Sequence, residues 1–313
     1  MTNHWLRYLK SEKNILPTTA SPSSHWTPLR EIEPNLLLKL EFDNPGASHK
    51  VRAARHIVRC AVQAGHIVPG LTTVIEKTGG NFGFGLVLAC SEIGVSVELA
   101  VGLSFSPLKR HFLELSGAKL IGIDQLRAGS TPREVVEWHL ANAGRLGKSY
   151  FYTDQFNNPK NIEAHEYETG AEIAQQLKDL DNIKNISFVS CAGTGAHLTG
   201  ITRALLSAGY TVDVTLVEPT GCDSRNSIFV EHKFEGMAVG VKPPLLDWDL
   251  VSDTVHIDHA SMLATKQRIA ATQGYIVGNT SAACLAAASA LTVQLPKSHK
   301  VLTIAYDHGL WYA

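Results

Sequence analysis

Charge is scarce in this 313-residue chain and neither sign predominates: Lys and Arg number 28, Asp and Glu 29, for a formal net charge of -1. Without a basic surplus, no nucleic acid and no membrane surface is expected as partner, and a small molecule takes their place. Cysteine is sparse too. Cys60, Cys90, Cys191, Cys222 and Cys284 are odd in number and scattered, with no Cys-x-x-Cys pair. That argues against a disulfide framework or a zinc site and fits a reducing cytoplasm. No apolar run reaches membrane-spanning length, and Met1 to Ser21 lacks the apolar centre of a secretory signal.

What the chain has is alternation. Hydrophobic residues make up 44% of it, enough for one large domain or two smaller lobes with cores of their own. Apolar or β-branched runs at 35–42, 72–76, 95–101, 119–123, 186–190, 212–217 and 301–305 read as strands, and 255–257 as an edge strand. Between them, 48–64, 81–92, 107–116, 131–145, 162–177, 199–208, 260–271 and 281–291 read as helices. Strands alternating with helices predict parallel sheets covered on both faces, an α/β fold. Two lobes built on two sheets fit better than one very wide sheet.

Ligands in open α/β sheets bind at the carboxyl ends of strands. Four segments lie at such junctions or at helix starts. Asn44-Pro45-Gly46-Ala47-Ser48-His49-Lys50 is a turn into a helix that Ser48 can cap. Lys50 then sits in the first turn, where the positive end of the helix dipole favours the nucleophilic amine. Glu76-Lys77-Thr78-Gly79-Gly80-Asn81-Phe82-Gly83 is a Gly-rich turn whose backbone N–H groups can hold a carboxylate or phosphate. Ala192-Gly193-Thr194-Gly195-Ala196-His197-Leu198-Thr199-Gly200 follows a strand as a phosphate cradle. It lacks the Gly-Lys-Ser/Thr ending of a nucleotide loop and the spacing of a dinucleotide site. Gly278-Asn279-Thr280-Ser281 opens a helix. Singly, each segment also reads as ordinary structure: an exposed lysine, a tight turn, a ligand-free glycine loop, a helix cap. His256-Ile257-Asp258-His259 has metal-ligand residue types, but a strand end points them in alternate directions, and no metal site is expected.

In this order and spacing, together with Asp154-Gln155-Phe156-Asn157-Asn158-Pro159, the segments resemble the cysteine synthase family. That family belongs to the tryptophan synthase β-subunit group of pyridoxal-phosphate enzymes, called fold type II. The resemblance implies two lobes, each a largely parallel twisted sheet flanked by helices: residues 45–155 as a smaller mobile lobe, and 1–44 with 156–313 as a larger one. It implies a cytoplasmic homodimer of amino-acid biosynthesis. Lys50 would carry pyridoxal 5′-phosphate as a Schiff base and move protons once substrate displaces it. Asn81 would hydrogen-bond the cofactor's 3′-oxygen. The backbone of Thr78, Gly79, Gly80 and Asn81 and the side chain of Gln155 would hold the substrate carboxylate. Gly193, Thr194, Gly195, Ala196 and His197 would surround the phosphate, with His49 near it, and Thr280 would face the pyridine nitrogen.

A neutral hydroxyl at that nitrogen leaves the ring a weaker electron sink, which favours prompt loss of a group from Cβ. The implied reaction is β-replacement on L-serine or an O-activated serine through an aminoacrylate. The alternatives are a β-eliminating lyase or dehydratase giving pyruvate and ammonia, and a non-catalytic homologue that acts as a binding partner. Gly79 and Phe82 stand where the family has Ser and Thr, His197 where it has Thr, and Lys242 in a segment, Gly236 to Pro243, that is apolar in the usual enzymes. These departures mark a divergent member.

Overall fold

The computed structural model describes residues 26–78, 80–180, 183–293, 295–296 and 298–312. Gly79, and the residues 1–25 assigned above to the larger lobe, lie outside them. The described chain divides into two compact units, residues 50–154 and residues 26–49 with 155–312.

The discontinuous unit begins with β1 (Leu29–Glu33) and β2 (Leu36–Leu40), an antiparallel pair. β2 reads LLLKL and is buried at all five positions, as a strand covered on both faces must be. Lys39 therefore ends in the interior. Its ammonium donates to Thr27 O at 2.6 Å and Gln176 Oε1 at 2.8 Å, and pairs with the Glu172 carboxylate. Thr27 Oγ1 in turn donates to Glu41 Oε1 at 2.7 Å. A buried charge is tolerated only when paired and hydrogen-bonded in this way.

The chain next builds the contiguous unit. β3 (Thr72–Lys77), β4 (Ser96–Ala100), β5 (Lys119–Leu120) and β6 (Ser149–Tyr152) form a parallel sheet in the order β5-β4-β3-β6. Helices Lys50–Gln63, Asn81–Ser91, Pro107–Leu115 and Pro132–Ala141 lie among these strands in the chain. The last opens on a capping box between Thr131 and Glu134, which satisfies two first-turn donors at once. Gly85 brings the first two helices together. A Cβ there would lie 2.9 Å from Val51 Cα and 3.1 Å from Lys50 O, so no larger residue fits.

The discontinuous unit is completed by β7 (Asn185–Cys191), β8 (Thr211–Pro219), β9 (Val251–Ile257) and β10 (His299–Ala305). Its strand order is β1-β2-β10-β7-β8-β9, parallel except for β1. The α/β architecture of largely parallel sheets flanked by helices is as expected, and 255–257 does lie in an edge strand. Two helix readings need correction. The helix expected from 199 starts at Ala196, directly after Gly195 in a left-handed conformation. The helix expected over 162–177 is continuous only in outline, because His165–Gly170 is a π-helical insert between Lys160–Ala164 and Ala171–Leu177. The extra residue per turn leaves no trace in hydrophobic spacing. Backbones meet closely there: a Cβ on Gly200 would lie 2.6 Å from Ile162 O and 2.8 Å from Glu166 N.

Candidate active site

In the contiguous unit, Lys50 is the first residue of its helix. Ser48, expected as its cap, instead forms an antiparallel bridge with Asp307, and His49 holds the position before the helix. At the end of β3, Thr78 N–H donates to Ala100 O at 3.2 Å. Gly80 has an extended φ and precedes the helix that Asn81 opens, and its carbonyl accepts from Gly83 N–H at 2.8 Å. A Cβ on Gly80 would meet nothing within 4 Å, so open space lies beside this helix start. Glu76 opens this segment with no role of its own expected from the sequence. It is fully buried at the end of β3, where its carboxylate accepts from Thr153 Oγ1 at 2.5 Å and from Lys77 N–H at 2.9 Å. Gly85 draws the turns bearing Lys50 and Asn81 together, as described above.

In the other unit, β7 hands over to the Ala196–Ser207 helix through Ala192 to Gly195. Here glycine is required. A Cβ on Gly193 would overlap Gly236 O, and one on Gly195 would overlap the backbone of Leu246. Gly195 also has φ +86, which side chains with a Cβ rarely adopt. Thr194 Oγ1 accepts from Ala196 N–H at 3.3 Å. The loop carbonyls of Ala192 and Thr194 accept from Ala238 and Leu245 N–H, each at 3.0 Å. The first-turn N–H groups have no intrahelical acceptor, and the helix dipole is positive at this end. Such a junction suits an anion.

Behind it stands a buried cluster of imidazoles and hydroxyls. His197 Nε2 is 3.0 Å from Ser190 Oγ, which is 2.8 Å from Tyr306 Oη. The His49 ring centroid lies 5.3 Å from that of His197 and 5.2 Å from that of Tyr306. His165, from the π-helical insert, is 5.8 Å from His49 and 6.0 Å from His197. Burial, with Cys191 and Cys284 adding to it, pushes the Tyr306 phenol well up, so it stays a neutral hydroxyl. His49 and His197 were legible in the sequence. Tyr306 directly follows β10, and the rule that sites gather at strand ends would have found it. His165 carries no such signal.

Thr280 is the second residue of the Asn279–Thr292 helix and is buried. The next residue links that helix to the cluster, because Ser281 Oγ accepts from Tyr306 N–H at 2.9 Å. Asp307 lies against Gly278, where a Cβ would overlap its carboxylate, and accepts from the Tyr312 hydroxyl. Gln155 is buried, with its carbonyl accepting from Asn161 Nδ2 at 2.8 Å. The structure thus gathers His49, His197 and the Thr280 turn within one unit, and Lys50 and the Asn81 turn within the other. His256 Nε2 is 3.0 Å from Cys222 O, and Asp258 caps the His259–Gln273 helix by accepting from Ser261 N–H.

The donor set fits a phosphate monoester: a glycine junction too tight for side chains, a helix N-terminus, buried hydroxyls and imidazoles. Known proteins say which one. A family model described as pyridoxal-phosphate dependent enzyme matches residues 16–307. Cysteine synthase from Staphylococcus aureus is 29% identical over 283 residues, covering 89% of this chain and 87% of that protein. The crystal structure of O-ureido-L-serine synthase matches with a TM-score of 0.80 at 29% identity, covering 91% of this chain and 90% of the other. An O-acetylserine-dependent cystathionine β-synthase from Helicobacter pylori gives 0.80 at 27% identity, with 95% and 97% covered. A match over nearly the whole length, on a fold with a phosphate-suited junction, makes this chain a member of the pyridoxal-phosphate dependent enzyme family.

Proposed function

We propose that the chain catalyses β-replacement on L-serine or an O-activated serine. Bound pyridoxal phosphate supplies a carbonyl that takes up an amino group and a ring that draws electrons from Cα. In this reading Gly193, Thr194, Gly195, Ala196 and His197, at the start of the Ala196–Ser207 helix, surround the phosphate, with His49 beside it, and Asn81 donates to the 3′-oxygen. Lys50 holds the cofactor at rest and, once released, takes the proton from substrate Cα and later returns it. The backbone from Thr78 to Asn81, Gly79 included, and the Gln155 side chain hold the substrate carboxylate.

The observation that carries the reading is Thr280, a buried hydroxyl residue in the first turn of its helix. A hydroxyl facing the ring nitrogen cannot keep it protonated as a carboxylate would. Charge drawn from Cα is then weakly held, and departure of the Cβ substituent is the ready outlet. Asp307, close to that turn, has its charge answered by the Tyr312 hydroxyl and is felt by the half-buried Lys266. The names of the similar proteins, two of them serine-derivative enzymes, support the same reaction class.

Pyruvate release from L-serine and from O-acetyl-L-serine, measured with and without sulfide, tests the proposal. Replacement predicts that sulfide suppresses pyruvate and that a new amino acid forms in its place. Pyruvate output unchanged by sulfide or by other small nucleophiles would assign the chain to elimination.

A further inference from the structure

The segment that closes over the glycine junction, and the turn tied to it, carry two cations that the proposed reaction does not use. It is fastened through Ala238 N–H to Ala192 O and through Leu245 N–H to Thr194 O. Lys242 lies between those points, and its N–H donates to Ser227 Oγ at 3.1 Å, which ties on the turn bearing Arg225. Both side chains converge on Trp248. The Arg225 guanidinium carbon is 4.9 Å from the indole centroid and Lys242 Nζ is 5.7 Å from it. Arg225 Nη2 also donates to Trp248 O at 3.3 Å.

Nearby acids do not answer this charge. Asp247 pairs with Arg203 at 2.8 Å, and Asp223 accepts from Asn226 Nδ2 at 2.7 Å. Asp249, next to Trp248 in the chain, is exposed. Among the described residues, no carboxylate lies within ion-pair distance of Arg225 or Lys242. Two like charges on one indole repel each other. A carboxylate or phosphate reaching both would relieve the repulsion and accept charge-assisted hydrogen bonds from each, while the aromatic face keeps the cations in place.

We propose that Arg225, Lys242 and Trp248 form a recognition site for the carboxylate or phosphate group of a small anionic ligand. The site stands apart from the reaction assigned above, and binding is read without turnover. Cofactor-loaded protein is titrated calorimetrically with inorganic phosphate and, separately, with succinate, at low and high ionic strength. One saturable site is expected, weakened by salt because the cations are exposed. Arg225→Gln and Lys242→Gln should each weaken it about tenfold, the worth of one hydrogen bond to a charged group. Lys242→Arg, which keeps the charge, should retain binding, and these exposed substitutions should leave the melting temperature in place. The preferred titrant tells carboxylate from phosphate. No saturable binding to wild type, or binding that survives the double variant Arg225→Gln/Lys242→Gln, overturns the proposal.

Discussion

Lys50→Ala is expected to abolish the visible absorption band of the cofactor-loaded protein and to lower turnover by about 10²–10⁴-fold, the usual worth of a positioned proton-transfer group. The reasoning runs from the helix start. Lys50 opens a 14-residue helix whose first turn lies against Gly85, so its side chain leaves from a fixed backbone position. The neighbouring turn, at Gly80 and Asn81, has open space beside it. A lysine that holds the cofactor covalently gives the protein a chromophore that alanine cannot make. The glycine junction, in the other unit, is untouched by the substitution. The variant should therefore still take up pyridoxal phosphate reversibly, which equilibrium dialysis would detect. An unchanged band in the variant would place the attachment on another amine and remove Lys50 from the mechanism.

The second large effect is on stability. Lys39→Met should cost about 3–5 kcal/mol, the range for removing one member of a buried ion pair. Methionine fills much the same volume, so the loss is electrostatic rather than a matter of packing. Glu172 and Glu41 stay buried, and the ammonium that held Thr27 O, Gln176 and Glu172 is gone. A domain's net stability is only about 5–15 kcal/mol, so urea unfolding should shift plainly. Lys39→Met/Glu172→Met should recover part of the deficit, because removing both charges spares the desolvation of the survivor. A single variant within about 1 kcal/mol of wild type, the worth of an exposed pair, would mean that the interior network carries little.

Much of this architecture can be read from residue order. The runs that became β2, β3, β4, β7, β8 and β10 are dense in Leu, Ile and Val because both faces of a parallel sheet are covered. Two strands escaped notice for a related reason. β1 is an edge strand with exposed positions at Arg30 and Glu31, and β6 is only four residues long. Neither shows the buried run or the regular alternation that marks a strand. Within the site, the glycine loops announce themselves, since a helix start approached by backbone needs residues without Cβ. Glu76, His165 and Ser190 do not. Each gains its place from partners far away in sequence: Thr153 for Glu76, His49 for His165, Tyr306 for Ser190. No local pattern encodes such partners.

The pairing of β2 with β10 also bears on how the polypeptide acquires its shape. Leu36 sits opposite Val301 and Leu40 opposite Ala305, so a strand made early in synthesis must wait for one made much later. Closing so long a loop is slow, because its entropy is lost before the contact rewards it. Residues 50–154, by contrast, are contiguous and free to fold as soon as they emerge from the ribosome. Proteolysis of ribosome-stalled chains of increasing length should therefore show protection first in 50–154. Protection of 26–49 should come only after β10 has left the exit tunnel. Until then, the LLLKL segment has only β1 beside it, and its other edge is an open apolar strand edge that a chaperone would have to cover.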